Sequence, residues 1–188
     1  MTESGPRPGA DVRVDAGRLA AMVLLVGAAV ALVVFQQGYR NLEAVLASHL
    51  FAGGDIRTWA DGDSPIVVFR LGETRAFGLE ITPECTSAFL IAPFAVLGAA
   101  MLLRRRIRPG RVLLGVGLVA LLLVIANQLR VAMIAGLING YGLEQGYQWG
   151  HLVLGSLLSI VFIGLSAVLL IYVVASGHVG RHVVSADV

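Results

Sequence analysis

Between Val112 and Ile138 the chain runs for 27 residues with only three strongly polar side chains, Asn127, Gln128 and Arg130. As a helix rising ~1.5 Å per residue, this run covers about 40 Å, more than the ~30 Å hydrocarbon core of a bilayer. Such an element needs either a very large protein core around it or lipid. A chain of 188 residues that is 57% hydrophobic, 14% charged and has a mean hydropathy of +0.83 cannot build that core. The class expected is an all-α integral membrane protein of about four transmembrane helices. A small extracytoplasmic segment is expected between the first and second helices.

The spans follow from the other apolar runs. The first is Leu19 to Phe35, behind Arg7, Arg13 and Arg18. Basic residues before an apolar run also fit a signal peptide, but Gln36-Gln37-Gly38-Tyr39 is a poor small-residue cleavage site, so a retained span is expected. The second runs from about Pro83 to Leu103, with Thr82 as N-cap, Pro83 at the first helical position and a kink at Pro93. The third is Val112 to Ile138. A short outer loop through Trp149-Gly150 leads to the fourth, from near His151 to Val174. The formal charge is +2 and every basic side chain apart from histidine is arginine. Five arginines lie within Arg104–Arg111, a short loop, and this marks that loop as cytoplasmic. Residues 1–17 and 176–188 are then cytoplasmic tails flanking a membrane domain of residues 18–175, and residues 38–82 lie outside.

Within that outer segment, Leu42, Val45, Leu46 and Leu50 recur at helical spacing and predict a short amphipathic helix over Tyr39–Phe51. Residues 66–71 and 75–81, separated by Gly72-Glu73-Thr74, predict a β-hairpin. Two strands alone are marginal, so the hairpin must pack on the outer end of the helices.

Three polar groups converge on that outer surface. Cys85, the single cysteine, falls in the first turn of the second span, where unpaired N–H groups favour a thiolate; Glu84 beside it opposes this unless turned away. Arg130 lies 19 residues beyond Arg111, about 28 Å of helix and one hydrocarbon thickness from the inner loop. Asn127 shares its helical face. His151 opens the fourth span. Each has a plainer reading: a buried structural thiol, an arginine snorkelling to head groups, an interfacial histidine beside Tyr147 and Trp149. Together they suggest thiol acyl transfer. Cys85 attacks a carbonyl, His151 shuttles protons, and Arg130, held by Asn127, binds an oxyanion or a substrate carboxylate. One cysteine excludes an internal disulfide, and the scattered histidines offer no metal spacing, so no metal or cofactor is expected. The basic run is short and borders an apolar span, so no nucleic acid partner is expected.

At Glu84-Cys85-Thr86-Ser87, Asn127-Gln128-Leu129-Arg130 and Gly150-His151 the chain resembles the exosortase/archaeosortase family of prokaryotic membrane transpeptidase-like enzymes, in a short form. The resemblance covers roughly residues 83–175 and rests on the order of these short motifs. Small residues such as Ser-Gly often follow the cysteine in that family; Thr86-Ser87-Ala88 follows it here. The resemblance implies a membrane cysteine peptidase or transpeptidase in the plasma membrane. Its partner would be a membrane-anchored substrate carrying a C-terminal sorting signal. Cys85 would be the nucleophile, Arg130 the oxyanion or substrate-binding residue and His151 the acid/base, with Asn127, Thr86 and Glu84 in support. Two other readings compete: a non-catalytic four-helix membrane scaffold or assembly partner, and a serine hydrolase using Ser87 or Ser156 with His151.

Overall fold

The computed structural model describes residues 16–52, 57–70 and 72–176. The tails expected at 1–17 and 176–188 lie outside these residues except for Ala16, Gly17 and Ser176. The described chain is mostly helical: α1 (Ala16–Val34), α2 (Gln36–Phe51), α3 (Ala88–Met101), α4 (Pro109–Tyr141), α5 (Leu143–Gln148) and α6 (Gly155–Ala175). A π-helical turn, Trp149–Leu154, joins α5 to α6, so that Leu143–Ala175 is one long helix. This helix, α1 and α4 are each long and apolar enough to cross a membrane, whereas α3 is a shorter apolar helix of 14 residues. Their outward faces carry large apolar side chains such as Leu24, Leu121, Ile160 and Ile171, as lipid would require.

Two apolar clusters divide the molecule along α4. In the first, Val112, Val119 and Leu123 of α4 meet Leu25 of α1, Ile91 and Phe94 of α3, and Leu170 of α6. In the second, Val131, Ile134 and Ile138 of α4 meet a small sheet and Ala44 and Ala47 of α2. The length of α4 thus serves two cores in series. Arg18 ties α1 to the far end of α3. Its guanidinium donates to the carbonyls of Leu102 and Arg104 at 2.8 and 2.7 Å and of Arg105 and Ile107 at 2.9 and 3.0 Å. Leu102 caps α3 and the other three carbonyls lie in the turn that follows it, so Arg18 binds that turn together.

The expected hairpin is present, with β2 at Ile66–Phe69 and β3 at Phe77–Glu80 paired antiparallel. A third strand, β1 (Thr58–Trp59), adds to β2, giving the order β1-β2-β3. Val67, Phe69 and Leu79 point into the second cluster, the alternation that a half-buried sheet requires.

Two expectations are corrected. The second helix starts at Ala88, not at Pro83. Pro83–Cys85 forms a separate 3-10 turn, and Thr86 is extended at φ −80°, ψ 142°. The Thr86 and Ser87 hydroxyls are engaged elsewhere in the fold, and such side-chain bonds compete with helix. The outer loop through Trp149-Gly150 is helical instead. In α2, Leu42, Leu46 and Leu50 face outward, Leu42 at 67% exposure, while Arg40, Glu43 and Ser48 are buried.

Candidate functional site

Cys85 closes the 3-10 turn, its N–H donating to the Thr82 carbonyl at 2.9 Å. It is therefore not in the first turn of a membrane helix, and the helix N-terminal field expected to act on it is that of a single short turn. Its Sγ lies 3.4 Å from Nδ1 of His151. With the ring proton on Nε2, Nδ1 can accept the thiol proton.

His151 is placed by glycines. A Cβ on Gly146 would fall 2.5 Å from the Ile138 nitrogen and the Leu137 carbonyl oxygen, and one on Gly150 would fall 3.2 Å from the Ile134 Cα. Their absence lets α5 press on α4, the packing that small residues four apart allow. Gly155 continues the same face but is five residues on, and the π turn absorbs the extra residue. A Cβ there would lie 2.6 Å from Arg130 Nε, so Gly155 makes the space in which the guanidinium sits. Tyr147, one turn before His151, stacks on the imidazole with centroids 5.1 Å apart.

Arg130 is 9% exposed and does not snorkel outward. Its guanidinium makes only long contacts, Nη1 to Ser159 Oγ at 3.4 Å and Nη2 to the His151 carbonyl at 3.5 Å, and Nε has no partner. No carboxylate pairs with it among the described residues. Arg130, Cys85 and Asn127 line a cleft together, and His151 joins them in the adjoining one. Donors are thus held ready beside the thiol, in a setting where a developing negative charge would meet little competition from water.

Asn127 does not hold Arg130. Its Nδ2 donates to Glu43 Oε1 at 2.9 Å. Thr86 is also turned away from the thiol, its hydroxyl donating to Glu43 Oε2 at 2.7 Å. Ser87 donates to Oε1 through both N–H and hydroxyl, at 3.1 and 2.7 Å. Glu43, 3% exposed, therefore gathers four donors from the segment after Cys85 and from α4. Every one of these contacts suits a carboxylate as acceptor. Tyr39 extends the chain, its hydroxyl 2.8 Å from Ser87 Oγ, and burial pushes this phenol up from its ordinary range, so it remains a donor. Next to this network, Arg40 donates to the Ile81 carbonyl at 3.1 Å and to Gln37 Oε1.

Glu84 is fully exposed at the mouth of the cleft. Its own backbone N–H, with a smaller contribution from the positive charge of Arg40, holds its carboxyl below the usual range. Ser87 and Ser156 make no hydrogen bond to His151; Ser87 is buried on Glu43 and Tyr39, and Ser156 is exposed. Sequence reasoning missed Glu43, Tyr39 and the three glycines. The glycine signal was visible as Gly146 and Gly150 four residues apart.

Fold and site together define a helical chain fit for a membrane, with a thiol–imidazole pair beside a buried arginine. Comparison with protein-family models, with curated proteins and with solved structures finds no match to this chain.

Proposed function

We propose that this protein is a membrane cysteine peptidase or transpeptidase of the exosortase/archaeosortase kind, acting on the C-terminal sorting signal of exported proteins. The observation that carries the reading is the 3.4 Å approach of Cys85 Sγ to His151 Nδ1 in clefts shared with the Arg130 guanidinium. His151 takes the thiol proton as sulfur attacks the scissile carbonyl. Arg130 binds the oxyanion of the tetrahedral intermediate. The imidazolium returns the proton to the leaving amine, the C–N bond breaks, and a thioester remains on Cys85. Water or an acceptor amine resolves it, with His151 accepting the incoming proton.

In this reading α1, α3, α4 and Leu143–Ala175 are four spans with both termini cytoplasmic in a prokaryotic plasma membrane, and the site faces the extracytoplasmic side. The polybasic loop Arg104–Arg111 on the inner side supports that orientation. As a helix α3 supplies only about 21 Å, short of the ~30 Å core. Thinned bilayer or water at its outer end would bring Cys85 within reach of water.

The test is processing of membrane-anchored exported proteins in cells carrying Cys85→Ala, His151→Ala or Arg130→Ala at normal protein abundance. Loss of processing in all three is expected. Full processing by Cys85→Ala ends the enzyme reading and leaves the non-catalytic membrane scaffold.

A further inference from the structure

One edge of the sheet, that of β3, leads to the thiol. The Ile81 N–H donates to the Pro65 carbonyl at 2.7 Å, which makes 65 and 81 a hydrogen-bonded pair. In the antiparallel register of β2 and β3 the bonded pairs alternate, so Leu79 and Phe77 also face β2. The N–H and C=O groups of Gly78 and Glu80 then point the other way. Both residues are exposed, and their main-chain groups have no hydrogen-bond partner on that side among the described residues.

Two clefts follow one another along this edge. The first is lined by Phe77, Ile138 and Leu143 and the second by Leu79, Ile134 and Tyr147. Each step is two residues of strand or one turn of helix, about 6 Å in either case. The result is a groove with β3 on one side, α4 as floor and α5 opposite. Cys85, Arg130 and His151 line its second cleft.

We propose that this edge binds a peptide in extended conformation as a fourth strand, feeding its backbone to Cys85; the proposal rests on the peptidase reading. A row of outward main-chain donors and acceptors is matched by another strand and by neither lipid nor helix.

The test compares alkylation of Cys85 in the folded membrane protein by N-acetyl-tetraalanyl chloromethyl ketone and by chloroacetamide. In both, the sulfur displaces chloride; only the first offers a peptide backbone. The peptide reagent is expected to react faster with wild-type protein. Glu80→Pro deletes an outward N–H while leaving the ladder to β2 whole, and should cut that advantage about tenfold. Glu80→Ala keeps the N–H and should leave the advantage unchanged. The same loss is expected on wild-type protein with a peptide reagent N-methylated at its amides, which needs no variant to fold. Equal rates for the two reagents, or equal behaviour of Glu80→Pro and Glu80→Ala, overturn the strand-edge proposal alone. Failure of both reagents to modify Cys85 overturns the peptidase reading as well. A Gly78→Cys variant that cross-links to a second copy of itself in the membrane identifies that copy as the occupant and overturns the proposal.

Discussion

Asn127 donates a 2.9 Å hydrogen bond to Glu43, 84 residues earlier in the chain, and none to Arg130 on the next turn of its own helix. The buried carboxylate thereby joins α2, the segment following Cys85 and α4. Glu43→Ala leaves the donors of Thr86, Ser87 and Asn127 buried and unmatched, and should destabilise the protein by about 3–5 kcal/mol. Glu43→Gln keeps one acceptor oxygen and should cost less. Reversible unfolding in mixed micelles measures both, and equal stability of wild type and Glu43→Ala would remove the carboxylate from the framework.

The glycines around α4 should rank by what a methyl group would meet. Gly146→Ala forces a clash with the backbone of Leu137 and Ile138 and should cost about 2–3 kcal/mol. Gly155→Ala meets Arg130 Nε at 2.6 Å and the Gly150 carbonyl oxygen at 2.8 Å, and should lower processing about 100-fold through misplacement of the guanidinium as well as cost stability. Gly136→Ala and Gly164→Ala meet nothing within 4 Å and should be neutral, or stabilising by up to about 1 kcal/mol. Melting temperatures and processing rates of the four variants give the order directly.

Arg130→Ala should reduce turnover by about 10²–10³-fold if the guanidinium holds the oxyanion. Arg130→Lys should recover only part, because an ammonium lacks the planar fork. The informative comparison is between turnover and alkylation of Cys85 by chloroacetamide. Alkylation develops no oxyanion and should change far less, so parallel losses in both would mean that Arg130 merely supports the fold.

The pH dependence of Cys85 labelling should ignore Glu84. Its folded carboxyl titrates below the ordinary range, so its charge is already present above that range and is lost only as pH falls through the depressed value. Any inflection above about pH 5 is therefore not that of Glu84. Labelling profiles of wild type and Glu84→Gln should share that inflection, and its disappearance in Glu84→Gln would reassign it.

Spin labels at Leu42, Leu46 and Leu50 in a Cys85→Ser background should collide with oxygen more than with a water-soluble nickel chelate. Labels at exposed Gly72 or Thr74 should do the reverse. Nickel-dominated collisions at all three leucines would place that face of α2 in water.

Much of the frame was legible because membrane length and strand alternation are one-dimensional signals. The run Val112–Ile138 named α4, and residues 66–71 and 75–81 named β2 and β3. Counting helical rise from Arg111 placed Arg130, and the ends of the apolar runs placed Cys85 and His151, at the same end of the helices. Glu43 was invisible because amphipathic spacing in α2 shows two faces but not which of them packs inward, and that depends on what the helix meets. Asn127 was assigned to Arg130 because sequence shows only neighbours three or four residues away. Its actual partner is held by tertiary packing. The start of α3 was misplaced because Thr82-Pro83 carries a sound capping signal, and the competing bonds from Thr86 and Ser87 exist only once Glu43 is present.

The Arg18 guanidinium, bound to carbonyls from Leu102 to Ile107, sets an order of events during synthesis. Its partners emerge from the ribosome more than 80 residues later, about 4–17 s at common elongation rates. Until then Arg18 lacks its partners, and α1 and α3 pack together without this tie. The arrival of residues 102–107 therefore acts as the latch on that helix pair.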